Sequence, residues 1–236
     1  MASLFLVLLP ASGADAAPMA SSAGSANPVT AYVVNNYSGT VTPIRTATNT
    51  AGTPITVGSG PQAIAITPDE KTAYVVNNYS GTVTPIRTAT DTAGTPITVG
   101  SRPDAIAITP DGKTAYVPNS GSGTVTPIRT ATNTAGTPIT VGSGPDAIAI
   151  TPDGKTAYVP NTGSGTVTPI GTATNTAGTP ITVGSGPFAI GITPDGKTAY
   201  VTNDASGTVT PIRTATGTAG TPITVGSNPV AIAIAP

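Results

Sequence analysis

Three residue types are absent from the 236-residue chain: cysteine, histidine and tryptophan. Without cysteine there is no disulfide and no thiolate metal site. Without histidine there is no imidazole to serve as base, nucleophile partner or metal ligand. Charge is also scarce. Only 8% of residues are charged and the formal net charge is −1, which argues against a nucleic-acid-binding surface. Long apolar runs are missing too, since the stretch from Leu4 to Leu9 is too short to span a membrane. The expectation is therefore no nucleic-acid partner and no transmembrane segment.

The N-terminus differs from the rest. "MASLFLVLLPASGADAAP" joins a short apolar run to small residues, and Ala14-Asp15-Ala16 fits a small-x-small cleavage site. A positive start is missing, because the first basic residue is Arg45. Residues 1–17 are read as a signal peptide and residues 18–29 as a disordered linker. This predicts a secreted, periplasmic or cell-surface protein. The competing reading is a plain apolar tail.

What fills the remainder is a repeat. Tyr32, Tyr74, Tyr116, Tyr158 and Tyr200 recur every 42 residues. Residues 30–71 and 72–113 differ at four positions, as do 114–155 and 156–197. The units are 30–71, 72–113, 114–155, 156–197 and 198–236. In each, four short runs rich in Thr, Val, Ile and Tyr alternate with turn residues, as in strands. Around Tyr116 these are Ala105–Ile108, Thr114–Val117, Thr124–Thr130 and Thr137–Val141. Pro110-Asp111-Gly112 between the first two is turn chemistry.

Four antiparallel strands per unit of this length predict an all-β fold, a β-propeller of four-stranded blades. The strands are called A to D from the centre outwards. Pro138 and its equivalents suit an edge strand D. Pro127 and its equivalents Pro43, Pro85, Pro169 and Pro211 conflict with an interior strand C, because each removes a ladder donor.

The run "TPDGKTAYVTN" at 193–203, followed by "SGTVTPI" at 206–212, resembles the YVTN-repeat β-propeller family. The likeness covers residues 30–236, although the other units read "YVVN" or "YVPN". It implies an exported or cell-surface propeller, commonly seven-bladed, so five units are a departure.

The first unit opens at strand B and lacks a strand A, whereas "NPVAIAIAP" at 228–236 supplies a strand A alone. The expectation is five blades closed into a ring, with Val230–Ile234 pairing into the first blade. The rival expectation is part of a longer propeller.

Differences between units gather on the face of the D–A and B–C loops. They comprise Gln62, Asp104, Asp146, Phe188 and Val230 at the start of strand A, and Arg102 and Asn228 just before it. Tyr37, Tyr79 and Asp204 lie in the B–C loops. Variable loops on a rigid scaffold suit ligand binding near the channel mouth; drift after duplication would produce the same variation. Asp104 and Asp146 alone make no metal site, so no cofactor and no metal are expected. Asn36-Tyr37-Ser38 and Asn78-Tyr79-Ser80 match the glycosylation pattern.

Some propellers that resemble this one are lactonases or hydrolases. That chemistry needs metal ligands or a general base, and the single glutamate, Glu70, falls in an A–B turn on the opposite face. The sequence therefore favours a monomeric binding or scaffold module at the cell envelope, with a protein or glycan partner. A lactonase-like enzyme and a passive repeat spacer are the alternatives.

Overall fold

The computed structural model describes residues 29–235. The proposed signal peptide and nearly all of the linker lie outside them. Among the described residues there are five antiparallel sheets, one for each unit.

The first sheet holds β1 (Thr30–Asn35), β2 (Thr40–Arg45), β3 (Thr50–Ala51) and β4 (Ile55–Thr56). The second holds β5 (Pro61–Ile66), β6 (Thr72–Asn77), β7 (Thr82–Arg87), β8 (Thr92–Ala93) and β9 (Ile97–Thr98). The third holds β10 (Ala107–Ile108), β11 (Thr114–Asn119), β12 (Thr124–Arg129), β13 (Thr134–Ala135) and β14 (Ile139–Thr140). The fourth holds β15 (Ala149–Ile150), β16 (Thr156–Asn161), β17 (Thr166–Gly171), β18 (Thr176–Ala177) and β19 (Ile181–Thr182). The fifth holds β20 (Pro187–Ile192), β21 (Thr198–Asn203), β22 (Thr208–Arg213), β23 (Thr218–Ala219) and β24 (Ile223–Thr224).

Strands B and C form a regular hairpin in every sheet. In the second, Thr72 to Asn77 pair in order with Arg87 to Thr82. The outer strand D is not continuous. Its two short pieces, β8 and β9, pair with the two ends of β7 and leave Thr84 and Pro85 between them. The prolines of strand C thus sit where no outer ladder bond is required. The Pro85 carbonyl is still used, accepting from the Gly94 amide at 2.7 Å. The prolines expected on strand D, such as Pro96, fall between the two pieces rather than within a strand. "ATNTAG", expected as a loop, contributes the first piece.

The A–B turn matches its sequence chemistry. Thr67 Oγ1 donates to Asp69 Oδ1 at 2.6 Å, and the Lys71 amide donates to the same oxygen. The Lys71–Asp69 ion pair at 3.4 Å is solvated, so it adds little.

The core lies between sheets. Four apolar layers join successive blades; the layer between the second and third holds Tyr74, Val76, Val83, Ile106, Val117 and Ile128. Each fully buried Val or Ile contributes roughly 2 kcal/mol. Polar bonds cross the same boundaries. Tyr74 Oη donates to Asn133 Oδ1 at 2.6 Å, and Tyr116 Oη does so to Asn175 Oδ1 at 2.6 Å. Burial pushes the Tyr74 hydroxyl up to about 12. Asn77 and its equivalents fill the end of each such boundary. Asn77 accepts from the Gly58 amide of the preceding blade and donates to the Thr82 and Thr84 hydroxyls. A Cβ on Gly58 would stand 2.6 Å from Asn77, so only glycine fits.

The expected ring closure is not found. β1 pairs with β2 alone, and residues 230–234 form no strand. Ile232 and Ile234 instead lie against Gly191 of β20, where the strand A of a following blade would pack. Ile223 is 49% exposed, whereas its counterparts Ile55, Ile97, Ile139 and Ile181 are 7–8% exposed. Residues 230–234 extend the interblade packing of strand A beside β20, while β1 is left without an inner partner among the described strands. Among the described residues no helix is long and apolar enough to cross a membrane.

Candidate functional face

The face of the D–A and B–C loops carries four charged residues: Arg102, Asp104, Asp146 and Asp204. Every other described charged residue lies in an A–B turn, in a C–D turn or at the strand C end beside it. This face thus carries three carboxylates and one guanidinium, and Arg102 acts on Asp104 and Asp146.

Two prolines set the positions of the first two carboxylates. In the second sheet Ala63 pairs with Val76. The third and fourth sheets have Pro118 and Pro160 at the position of Val76, and their inner strands shrink to Ala107–Ile108 and Ala149–Ile150. Proline offers no amide there, so the first half of strand A loses one ladder donor, although the Asp104 amide still donates to the Pro118 carbonyl at 3.1 Å and Pro103 and Pro145 still bridge Asn119 and Asn161. Asp104 and Asp146 sit on these partly paired segments.

Asp104 is 7% exposed. Its Oδ1 accepts from Asn78 Nδ2 at 2.7 Å and from Gln62 Nε2 at 3.1 Å. Its Oδ2 is buried with no hydrogen-bond partner. The nearby Ser120 hydroxyl donates to the Arg102 carbonyl at 3.2 Å. Burial pushes the Asp104 carboxyl above the ordinary range; the Ser120 hydroxyl, Arg102 and Gln62 oppose the rise and the Asp146 charge adds to it. Asp146 is half-buried, and its Oδ2 accepts from Thr162 Oγ1 at 2.6 Å. Burial raises it too; Arg102 opposes the rise and Asp204 reinforces it.

The B–C loops also stitch neighbouring blades together. Asn36 and Asn78 donate to the carbonyls of Pro61 and Pro103 respectively, and the Thr162 hydroxyl, whose one proton goes to Asp146, lies 2.7 Å from the Pro187 carbonyl. Both sequon asparagines therefore have their side-chain amides engaged, and Asn78 is buried.

A second set of positions shows one slot filled in different ways. In the second blade the Tyr79 ring covers Gly60, 2.6 Å from where its Cβ would be. In the third, Arg102 supplies the bulk and Gly121 lies beneath its stem, 3.2 Å from an ideal Cβ. In the fifth, Asp204 and Ala205 cover Gly186. In the fourth, Gly144 faces Gly163 and meets only its backbone and Thr162 Cβ. A shallow open groove of about 560 Å³ runs between Tyr79 and Arg102, lined also by Asn78, Ser80 and Ser101.

Of the residues singled out from sequence, Gln62, Asp104, Asp146 and Arg102 are brought together. Tyr79 borders them at 74% exposure, and Tyr37 is 97% exposed on the first blade. Phe188 and Asp204 belong to the fifth sheet and its loop, while Asn228 and Val230 lie beyond it, Val230 exposed. From sequence, Asn78 stood out only as part of a glycosylation pattern, and Thr162, Gly144 and Gly163 only as variable loop positions; their contacts were not legible there. For the glycines and the two prolines the signal was present, in the alternation of "YVVN" with "YVPN" and in the Gly/Arg exchange before strand A.

Comparisons with known proteins agree with this architecture. The family model for YNCE-like β-propellers matches residues 1–113, in keeping with the YVTN-repeat resemblance. No curated protein sequence matches the chain. Among solved structures, Kuenenia stuttgartiensis hydrazine synthase is 30% identical with a TM-score of 0.71 over 80% of this chain. The chain spans only 61% of that protein's length. A functionally unknown protein from Desulfotomaculum acetoxidans DSM 771 is 22% identical, with a TM-score of 0.70, over 84% of this chain and 67% of its own. A candidate 6-phosphogluconolactonase from Bacteroides uniformis ATCC 8492 is 20% identical, with a TM-score of 0.71, over 88% of this chain and 71% of its own. The last two likenesses concern the fold. The chain is built of β-propeller blades.

Proposed function

We propose that these propeller blades act as an exported binding module at the cell envelope, with the D–A and B–C loop face as the recognition surface. One observation carries the reading. Departures from the repeat gather on this face, and there the Asp104 carboxylate is buried beside Arg102, held by Asn78 and Gln62 with the Ser120 hydroxyl close by. A buried carboxylate costs stability, which is tolerated most readily where it serves a purpose. The rigid blades behind it provide the scaffold that loop-borne recognition needs. The short apolar N-terminal run supports export. The lack of histidine and cysteine in the whole sequence supports binding over hydrolysis.

The test is an array of extracellular proteins and glycans probed with the full chain and with a Tyr79→Ala/Arg102→Ala variant. Reproducible hits that weaken about tenfold or more in the variant are expected, since Tyr and Arg dominate interface energetics. An array without hits, or hits indifferent to the variant, would remove the reading.

A further inference from the structure

The two ends of the described array match each other. β1 reads TAYVVN, letter for letter the sequence of β6. On its inner edge β6 takes β5, which reads PQAIAI. β1 has no inner partner among the described strands, and an open strand edge is a template for pairing. Residues 229–234 read PVAIAI, departing from β5 only in Val230 for Gln62. They lie against β20 with no strand B of their own among the described residues. Side chains match as well. Val41 and Ile55 of the first blade pack on Ala73, Val75 and Ile86 of the second. The corresponding Ile223 stands exposed at one end of the array, and Ala31, Val33 and the half-buried Ile44 stand at the other. Val33 is 43% exposed where Val75 is fully buried. A Cβ on Gly58, Gly100, Gly142 or Gly184 would meet the next blade's asparagine at 2.6–2.7 Å, whereas one on Gly226 would meet nothing within 4 Å. Tyr74 finds its receiver in Asn133, but no such receiver follows Tyr200 among the described residues. Asn49 is that receiver in the first blade, with φ 53° against 52° for Asn133.

We propose that the last blade and residues 230–234 of one copy receive the first blade of a second copy, head to tail. The contact repeats once more the interface that joins neighbouring blades four times within the chain. Residues 230–234 pair with β1 of the second copy as β5 pairs with β6. Ile223 is covered by Ala31, Val33 and Ile44. The Gly226 amide donates to Asn35 Oδ1 as the Gly58 amide does to Asn77, and the Tyr200 hydroxyl donates to Asn49 Oδ1 as that of Tyr74 does to Asn133. A second copy is the occupant these residues specify, because every position repeats a pair found inside the chain. The contact is heterologous, with a different face on each copy. It uses the end faces of the array and stands independently of the binding reading.

The test is sedimentation of the full 236-residue chain. Its mass should rise between about 1 μM and about 500 μM. Val33→Asp blocks one face and Ile223→Asp the other. Both positions are exposed in a single copy, so each variant should keep its fold, which circular dichroism checks. Each variant alone should associate at least about tenfold more weakly than the parent, because the contact would bury an unpaired carboxylate. Mixed in equal amounts, the two should form a complex that stops at two copies, since each supplies the face that the other lacks. Hydrogen exchange gives a second reading that needs no variant. The β1 amides facing away from β2 should exchange rapidly in dilute protein and slowly in the assembly. A chain that stays monomeric throughout, variants that associate as the parent does, or a mixture no more associated than its parts would each overturn the proposal. Slow exchange of those β1 amides in the dilute monomer would overturn it too, because one chain would then cover its own edge.

Discussion

At the scale of single residues, the same amino acid has opposite electrostatic roles on the two faces. Asp69, Asp111, Asp153 and Asp195 accept a threonine hydroxyl and a backbone amide in the A–B turns, which hold their carboxyls below the usual range. Their stabilisation is present above the unfolded carboxylate pKa and is lost as pH falls through the lower folded value. Asp104 runs the other way, because burial disfavours its charged form. Above its folded pKa it destabilises, and that penalty disappears as pH falls toward the unfolded value. Asp104→Asn should therefore gain stability relative to the parent at pH 7, and the gap should close near about pH 3.5. Urea unfolding of both proteins at the two pH values checks this; a gap that widens on acidification would contradict it.

Single elements respond to one residue in strand B. With Val76 the inner strand runs from Pro61 to Ile66; with Pro118 it shrinks to Ala107–Ile108. Pro118→Val should restore the missing donor and extend β10 toward Pro103, which already bridges Asn119. The amide gained at position 118 should exchange slowly with deuterium, and Asp104 should move out of its present pocket, changing the environment of the face. Fast exchange of that amide would show that something other than the proline holds the segment open. The outer strand illustrates the same logic, because its break coincides with the strand C proline. The sequence displayed that proline as a conflict, and only the split pairing resolves it.

For the whole molecule, stability is carried by contacts between neighbouring blades, as in other repeat arrays. Tyr116 is fully buried and its hydroxyl reaches Asn175 in the next blade, whereas Tyr200 has no such bond among the described residues. Tyr116→Phe should cost about 1–2 kcal/mol, and Tyr200→Phe less than about 0.5 kcal/mol. Chemical denaturation of the two variants distinguishes them, and equal losses would mean that the hydroxyl of Tyr200 is also engaged. The exposed Ile223 and the partly exposed β1 belong to the two ends of the array, where the interblade layers stop.

Much of this protein was legible in the chain alone. The 42-residue period, the β-branched runs and the Pro-Asp-Gly turns determine the strand pattern, because side-chain alternation and backbone angles are local properties. The propeller class follows from four such strands per unit. The variable face was legible as well, since a meander sends alternate loops to opposite sides. Other features depended on contacts between residues far apart. Tyr74 meets Asn133 across 59 positions, Asn78 meets Asp104 across 26, and Gly144 faces Gly163. The last segment's place beside Gly191, rather than beside β1, was likewise decided by tertiary packing. Strand pairing can be counted from a sequence, but the rotation from one blade to the next is set by how their side chains interlock.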